Sequence, residues 1–270
     1  MESAIRSPLL LKYEFADSIG ALDAYEAARA LLGASRALAI STNLFVNDEV
    51  ISKAPSLKRA KIELRPIRSG ILEFPIDILI PTVAGIRDSI YAAIFWDYTK
   101  YIFSRTLGKK EPNIKSEAKS VLDRQGGAVD AAVDRISAAM LEAHRPIGRG
   151  AKHAIFVNGD NNNITIIDST SQEFLEHEIF DEKTINFEGT ISSFNANTNI
   201  GGIFIPSEER VVRFNANYEE IFTDNSRAAI AESLVSYVAR NPKTVRMRGH
   251  AIRTRTGDLK RIHAISVRLV

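Results

Sequence analysis

The sequence predicts an α+β protein in two parts. Residues 1–150 read as a mixed, mainly helical domain with a β-hairpin, and residues 151–270 as a small β-rich domain with one helix. Three observations carry this. Up to about residue 145, long stretches with apolar residues at helical spacing alternate with short strand-like runs. Arg145–Lys152 (RPIGRGAK) then sets one Pro, two Gly and three bases in eight positions, the composition of a boundary. Beyond it, seven strand-like runs surround a single helical one.

Pro8–Phe15 (PLLLKYEF) has the apolar richness of a strand, and Asp17–Gly20 breaks the chain. Ala21–Ala39 is rich in Ala and Leu, with Tyr25, Ala28, Leu32 and Ala39 near helical spacing, which predicts an amphipathic helix. Ala60–Leu64 and Gly70–Leu79 flank Arg68-Ser69-Gly70 and predict a hairpin, with Pro75 pushing the second run toward an edge or a bulge. Pro81 suits the first turn of a helix running to Arg105. That helix carries two apolar stripes, Val83, Ile86, Ile90 and Ile94 on one side and Tyr91, Phe95, Tyr98 and Ile102 on another. A helix apolar on two faces needs two covers, supplied by neighbouring layers, a partner or lipid. Ser116–Arg124 and Ala128–Ala143 follow as helices around Gly126-Gly127.

In the second part, Ala154–Val157 and Ile164–Ile167 flank Asn158–Asn163 (NGDNNN), a strong hairpin-turn signal because Asn, Gly and Asp tolerate positive φ. Thr184–Ser193, Ile200–Ile205 and Arg210–Asn215 read as strands, Asn225–Arg240 as a helix, and Thr244–Ile252 with Leu259–Val270 as a closing hairpin over Thr256-Gly257-Asp258.

Composition bounds the chemistry. With no cysteine, a disulfide scaffold, a thiolate zinc site, an iron–sulfur cluster and a thiol nucleophile are excluded. The expected setting is cytoplasmic. The first residues lack the apolar core of a signal peptide, and charges at Glu73, Asp77, Arg87, Asp88 and Asp97 interrupt the most apolar region, so no spanning helix is expected. No phosphate loop, dinucleotide fingerprint, nucleophile elbow or zinc-protease motif occurs. None of His144, His153, His177, His250 and His263 stands three or four residues from another. No catalytic residue, metal or cofactor is therefore expected, and the chain is read as non-enzymatic.

One segment resembles a known family. Residues 189–206, GTISSFNANTNIGGIFIP, are similar to the first two strands of a cold-shock domain, which read glycine, an alternating strand, Phe-Asn-Ala, a short turn, then Gly-aromatic-Gly-Phe-Ile. Phe194 and Asn195 match the Phe-Asn pair, Gly202 a glycine and Phe204 the last aromatic, while Gly201 and Ile203 depart from the pattern. The likeness implies a small five-stranded β-barrel of the oligonucleotide-binding (OB) type, which stacks bases on exposed aromatics such as Phe194. Phe204 is expected to be buried, since it lies between Ile203 and Ile205.

Charge points the same way. Residues 151–242 carry 6 Lys/Arg against 14 Asp/Glu, whereas residues 243–270 carry 8 against 1. On the closing hairpin, Arg246, Arg248, Arg253, Arg255, Lys260 and Arg261 form a candidate site for nucleic acid or another anionic surface. The competing reading pairs these cations with the acidic strands beside them. The leading expectation is a binding or scaffold protein whose barrel contacts nucleic acid, an anionic surface or a partner protein. Its N-terminal helices would self-associate into a homo-oligomer through Tyr91, Phe95 and Tyr98. The second reading has the helix 81–105 lie on a membrane without spanning it, in a sensor or effector suited to bacterial defence.

Overall fold

A computed structural model describes residues 4–15, 22–51, 57–65, 73–216 and 223–270. The chain divides into two compact units. One comprises Met1–Leu107, Pro112–Leu122 and Ala131–Leu175, the other Gly108–Glu111, Asp123–Asp130 and Glu176–Val270.

The first unit is built on a five-stranded sheet in the order β2-β3-β1-β4-β5, with β1 Ala4–Phe15, β2 Lys61–Leu64, β3 Glu73–Pro81, β4 Ala151–Asn158 and β5 Asn163–Asp168. Every neighbouring pair is antiparallel. Strict alternation in β1 buries Ile5, Leu9, Leu11 and Tyr13 on one face. Helices α1 (Ala24–Asn47) and α2 (Asp88–Thr106) pack on each other, α1 also on β3 and α2 on β1 and β5. The chain continues through α3 (Ser116–Gln125) and α4 (Gly127–Ala143), which part at Gly126 with φ 42° as the Gly pair predicts.

Several expectations are corrected here. The Asn158–Asn163 turn forms its hairpin, but β4 pairs with β1 from Leu9↔Asn158 onward, so the hairpin extends the first sheet. The units therefore change at Leu175/Glu176 and not near residue 150; a strand joins the sheet whose edge it can hydrogen-bond, which local composition does not reveal. The β2–β3 hairpin pairs as expected, while its turn at residues 68–70 lies outside the described residues. Pro75 sits on an inner strand, at the point where four-residue β2 ends with Leu64 opposite Ile76. Pro81 closes β3 instead of opening α2.

The Asp23 carboxylate caps α1 by accepting from the backbone N–H groups of Tyr25 and Glu26. The helix runs eight residues past Ala39 because Ser41, Thr42 and Asn43 are wholly buried, and Asn43 donates to the Glu49 carbonyl at 2.7 Å. Its buried face is not the predicted one: Tyr25 and Leu32 are 60% and 53% exposed, while Ala30, Gly33, Ala34 and Ala37 face inward. Small residues there let α4 approach closely. A methyl group added at Gly33 would lie 2.5 Å from the Ala139 carbonyl oxygen. Arg29–Glu142 and Arg145–Glu26 ion pairs flank the crossing.

The second unit is a closed barrel of β6 (Ile179–Asn195), β7 (Ile200–Ile205), β8 (Arg210–Asn215), β9 (Val245–Arg253) and β10 (Leu259–Leu269), in the cyclic order β10-β8-β7-β6-β9. The long first strand β6 pairs with both β7 and β9, β8 and β10 run parallel, and α6 (Asp224–Val238) lies between β8 and β9 in sequence. This is the five-stranded Greek-key barrel of OB type. Ile191, Ile203, Val212, Phe214, Met247 and Ile262 fill the interior, each with no exposed surface. Helix α6 packs on β6 and β10, and its Ser233 hydroxyl accepts from the Ile191 N–H and donates to the Lys243 carbonyl.

Candidate nucleic-acid interface

Strand parity sorts the closing hairpin into two faces. Val245, Met247, Gly249 and Ala251 turn inward, leaving Arg246, Arg248 and His250 outside. The β9–β10 register sets Arg246 opposite Arg268, Arg248 opposite Ser266 and His250 opposite His263.

The six predicted basic residues have different fates. Arg246 grips Glu188 on β6 with two N–H donors at 2.9 and 2.6 Å. Arg261 and Lys260 share Glu178, and Lys260 Nζ also donates to the His177 carbonyl at 3.3 Å. Burial pulls the Lys260 pKa below the ordinary lysine value, against the pull of Glu178. Arg253 is folded back onto the Gly257 carbonyl at 2.8 Å. Arg248 and Arg255 are exposed, and Arg248 Nη2 reaches the Thr184 hydroxyl at 3.4 Å. Three of the six are thus ion-paired to two carboxylates within the barrel, Arg246 to Glu188 across adjacent strands as opposite charges favour.

The predicted aromatic is also corrected. Phe194 is half-buried and stacks on Phe214, rings 6.0 Å apart and 9° from parallel. Both stand opposite Gly201, where an added methyl group would meet the Phe214 ring at 2.6 Å. Phe194 is thus half-buried with its ring packed against the barrel core. Phe204 is half-buried on the outer side, because its neighbours Ile203 and Ile205 take the inward positions. Where the first two barrel strands pair, Ser193 of β6 and Gly202 of β7 are both buried, and Ser193 Oγ donates to the buried Asp130 carboxylate at 2.5 Å.

The open aromatic is one that sequence reasoning missed. Phe180 is 39% exposed, its ring 5.0 Å from that of His250 and 5.8 Å from that of His263. A bulge between Phe180 and Thr184 lifts it there, and the Asp181 carbonyl on that bulge accepts from His250 Nδ1 at 3.1 Å. The shared outward face of Arg246, Arg248 and His250 is legible by parity. His263 joins them only through the hairpin register, and Phe180 precedes the predicted start of the strand. His263 is held below the ordinary histidine pKa by burial first, then by Arg261 and His250, with Glu178 opposing.

The candidate self-association residues are covered from within the first unit. Phe95 and Tyr98 have no exposed surface; Phe45 of α1 meets their rings at 5.3 and 5.2 Å and the Tyr91 ring at 5.2 Å. The second cover that the doubly apolar helix needs is therefore α1. Only the other stripe stays open, at Ile86 and Ile90, 39% and 47% exposed.

His144, Ser171 and Asp168 have the residue types of a hydrolytic triad in a different arrangement. His144 Nδ1 faces the Met140 carbonyl at 2.6 Å and Nε2 the Ser171 hydroxyl at 2.9 Å. Asp168 accepts from the Ser171 N–H while Ser171 Oγ accepts from the Asp168 N–H, a capping box that starts α5 (Ser169–Glu176). The carboxylate orients the serine and not the imidazole, and both His144 and Ser171 are buried. A cleft of about 500 Å³ is lined by Phe187, Ile205 and Leu259 together with Glu188, Glu208 and Arg253. Among the described residues no group of three or more His, Asp or Glu could hold a metal ion. No helix among them is long and apolar enough to cross a membrane.

A family model described as "Domain of unknown function (DUF7946)" matches residues 10–176. The chain belongs to the DUF7946 family. The DUF7946 match ends at Glu176, where the last segment of the second unit begins, so it covers most of the sheet unit and leaves the five barrel strands outside. No curated protein matches the chain, and no solved structure does.

Proposed function

We propose that this chain is a non-catalytic binding protein whose C-terminal barrel holds single-stranded nucleic acid on the outer face of β9 and β10. One observation carries the reading: Phe180 is 39% exposed with its ring beside those of His250 and His263, and Arg248 and Arg261 lie on the same two strands as these histidines. An exposed aromatic among cations suits a strand, because each base has a face to stack and each nucleotide a phosphate to neutralise. Glu178 and Glu188 engage Lys260, Arg261 and Arg246, while Arg248, Arg255 and Arg268 are exposed. The positive charge of the hairpin is reduced by these pairs and not cancelled.

The test is anisotropy of labelled oligothymidine and oligouridine with the full chain at low salt. Binding should weaken linearly in log salt, by roughly 0.7 in slope per phosphate contact on a single strand. Arg248→Ala should lower the slope by about one contact and weaken all sequences alike. Phe180→Ala should cost about 1–3 kcal/mol of binding. No binding to single- or double-stranded DNA or RNA at low salt overturns the reading and leaves the barrel as a surface for protein.

A further inference from the structure

We propose that His250 and His263 form a proton-dependent phosphodiester site, the two rings and Arg261 together holding one backbone phosphate of a strand whose base lies on Phe180. This rests on the strand-binding reading above. The two histidines are directly opposite in the β9–β10 register and share Phe180 as a common neighbour. Side chains so paired stand roughly 5 Å apart at Cβ, close enough for both rings to reach one phosphate. The Asp181 carbonyl can only accept, so His250 carries a proton on Nδ1.

The charged and polar groups around the pair come from four strands and the segment before β6. From β10 come Lys260 and Arg261, and from β9 Arg248. Beside His250 on β6 is Thr184, after the bulge that holds Asp181. On β8, Asn215 stands opposite His263 and Arg213 opposite Arg261. The carboxylate of Glu178 is already engaged by Arg261 and Lys260. Two imidazolium rings on directly opposite residues beside Arg261 would repel each other. A phosphate placed between them reverses that sign. Binding must then draw protons onto the pair, and lower pH must favour binding. The depressed proton affinity of His263, set by burial, Arg261 and His250, is the free-state half of this linkage.

The experiment follows binding of an oligothymidine without terminal phosphates to the full chain at fixed salt, from about pH 7.5 to about pH 5.5. Affinity should rise at least about fivefold as pH falls. The histidine ring signals of residues 250 and 263, followed by NMR, should titrate at higher pH with the strand bound than without it. His263→Asn and His250→Asn should each flatten the pH dependence of binding. Should either variant fail to fold, the NMR midpoints of the unaltered protein decide. Binding that persists but ignores pH, with unmoved midpoints, overturns the site and leaves the strand reading standing. No binding at any pH removes both. Inorganic phosphate is the control arm: if it moves both midpoints as far as the oligonucleotide does, the site takes free phosphate and its assignment to a strand is overturned.

Discussion

The Tyr13 hydroxyl donates to the backbone carbonyl of Ala143 at 2.7 Å, with the whole tyrosine side chain buried. This bond ties the middle of the sheet to the last turn of α4, and it satisfies one of the end carbonyls that a helix leaves without an internal partner. Burial also pushes the Tyr13 phenol well above its ordinary pKa, so it remains a donor at every pH at which the protein folds. Tyr13→Phe keeps the ring and strands a buried acceptor. It should destabilise the first unit by about 1–3 kcal/mol, read as a lower urea midpoint with unchanged slope. An unchanged midpoint would show that the Ala143 carbonyl finds another donor.

Gly33→Ala separates helix propensity from packing. In an exposed helix the change should stabilise by up to about 1 kcal/mol. At Gly33 the new methyl group meets the Ala139 carbonyl oxygen at 2.5 Å and the Ala143 nitrogen at 2.6 Å, both backbone atoms that cannot rotate away. Overpacking should win, with a net loss of about 1–3 kcal/mol in thermal or urea unfolding. A gain in stability would mean that the helices do not meet at this glycine.

Phe194→Ala tests the corrected role of the predicted stacking residue. Loss of a half-buried ring stacked on Phe214 should cost the barrel about 1–3 kcal/mol of stability. Oligonucleotide affinity per folded molecule should stay unchanged. Weaker binding at wild-type stability would restore Phe194 as a base-stacking residue.

Acid sensitivity of the first unit should trace to Glu142 and Glu26. Hydrogen bonds from Arg29 hold the Glu142 carboxyl below the ordinary value, and those from Arg145 do the same for Glu26. A carboxyl with a lowered folded-state pKa contributes stability that is complete above its unfolded value, about 4.5, and is lost as pH falls through the folded value. Glu142→Gln should therefore lower stability near neutrality and shrink the further loss below about pH 4.5, measured by urea unfolding across pH. An identical acid slope in the variant would assign the loss to other groups.

Much of the architecture was legible because it is local. The NGDNNN turn, the Gly126-Gly127 break and the three strands from Thr184 to Asn215 rest on turn chemistry and period-two patterning within a few residues. The closing hairpin and the single helix before it were legible for the same reason. The likeness of residues 189–206 to a cold-shock domain located two adjacent strands of a barrel that does close. The candidate site was legible only in part: parity gave the outward face of Arg246, Arg248 and His250, whereas Phe180 lay outside the predicted strand.

What the sequence determined by itself was the α+β class, the order of most elements and the uneven distribution of charge, all properties of short stretches of chain. Tertiary structure alone decided which surfaces remain free. It paired β4 with β1 and moved the division of the chain from residue 150 to 175, because an unfilled sheet edge takes whatever strand reaches it. It covered Phe95 and Tyr98 with Phe45, since one buried apolar stripe serves as well as another to complete a core. It set Glu178 and Glu188 against three of the six predicted cations, and it brought Phe180 of β6 beside His250 and His263 of the closing hairpin, far from it in sequence. Partners of this kind are chosen by register and closure, which depend on the whole barrel and on no single stretch of it.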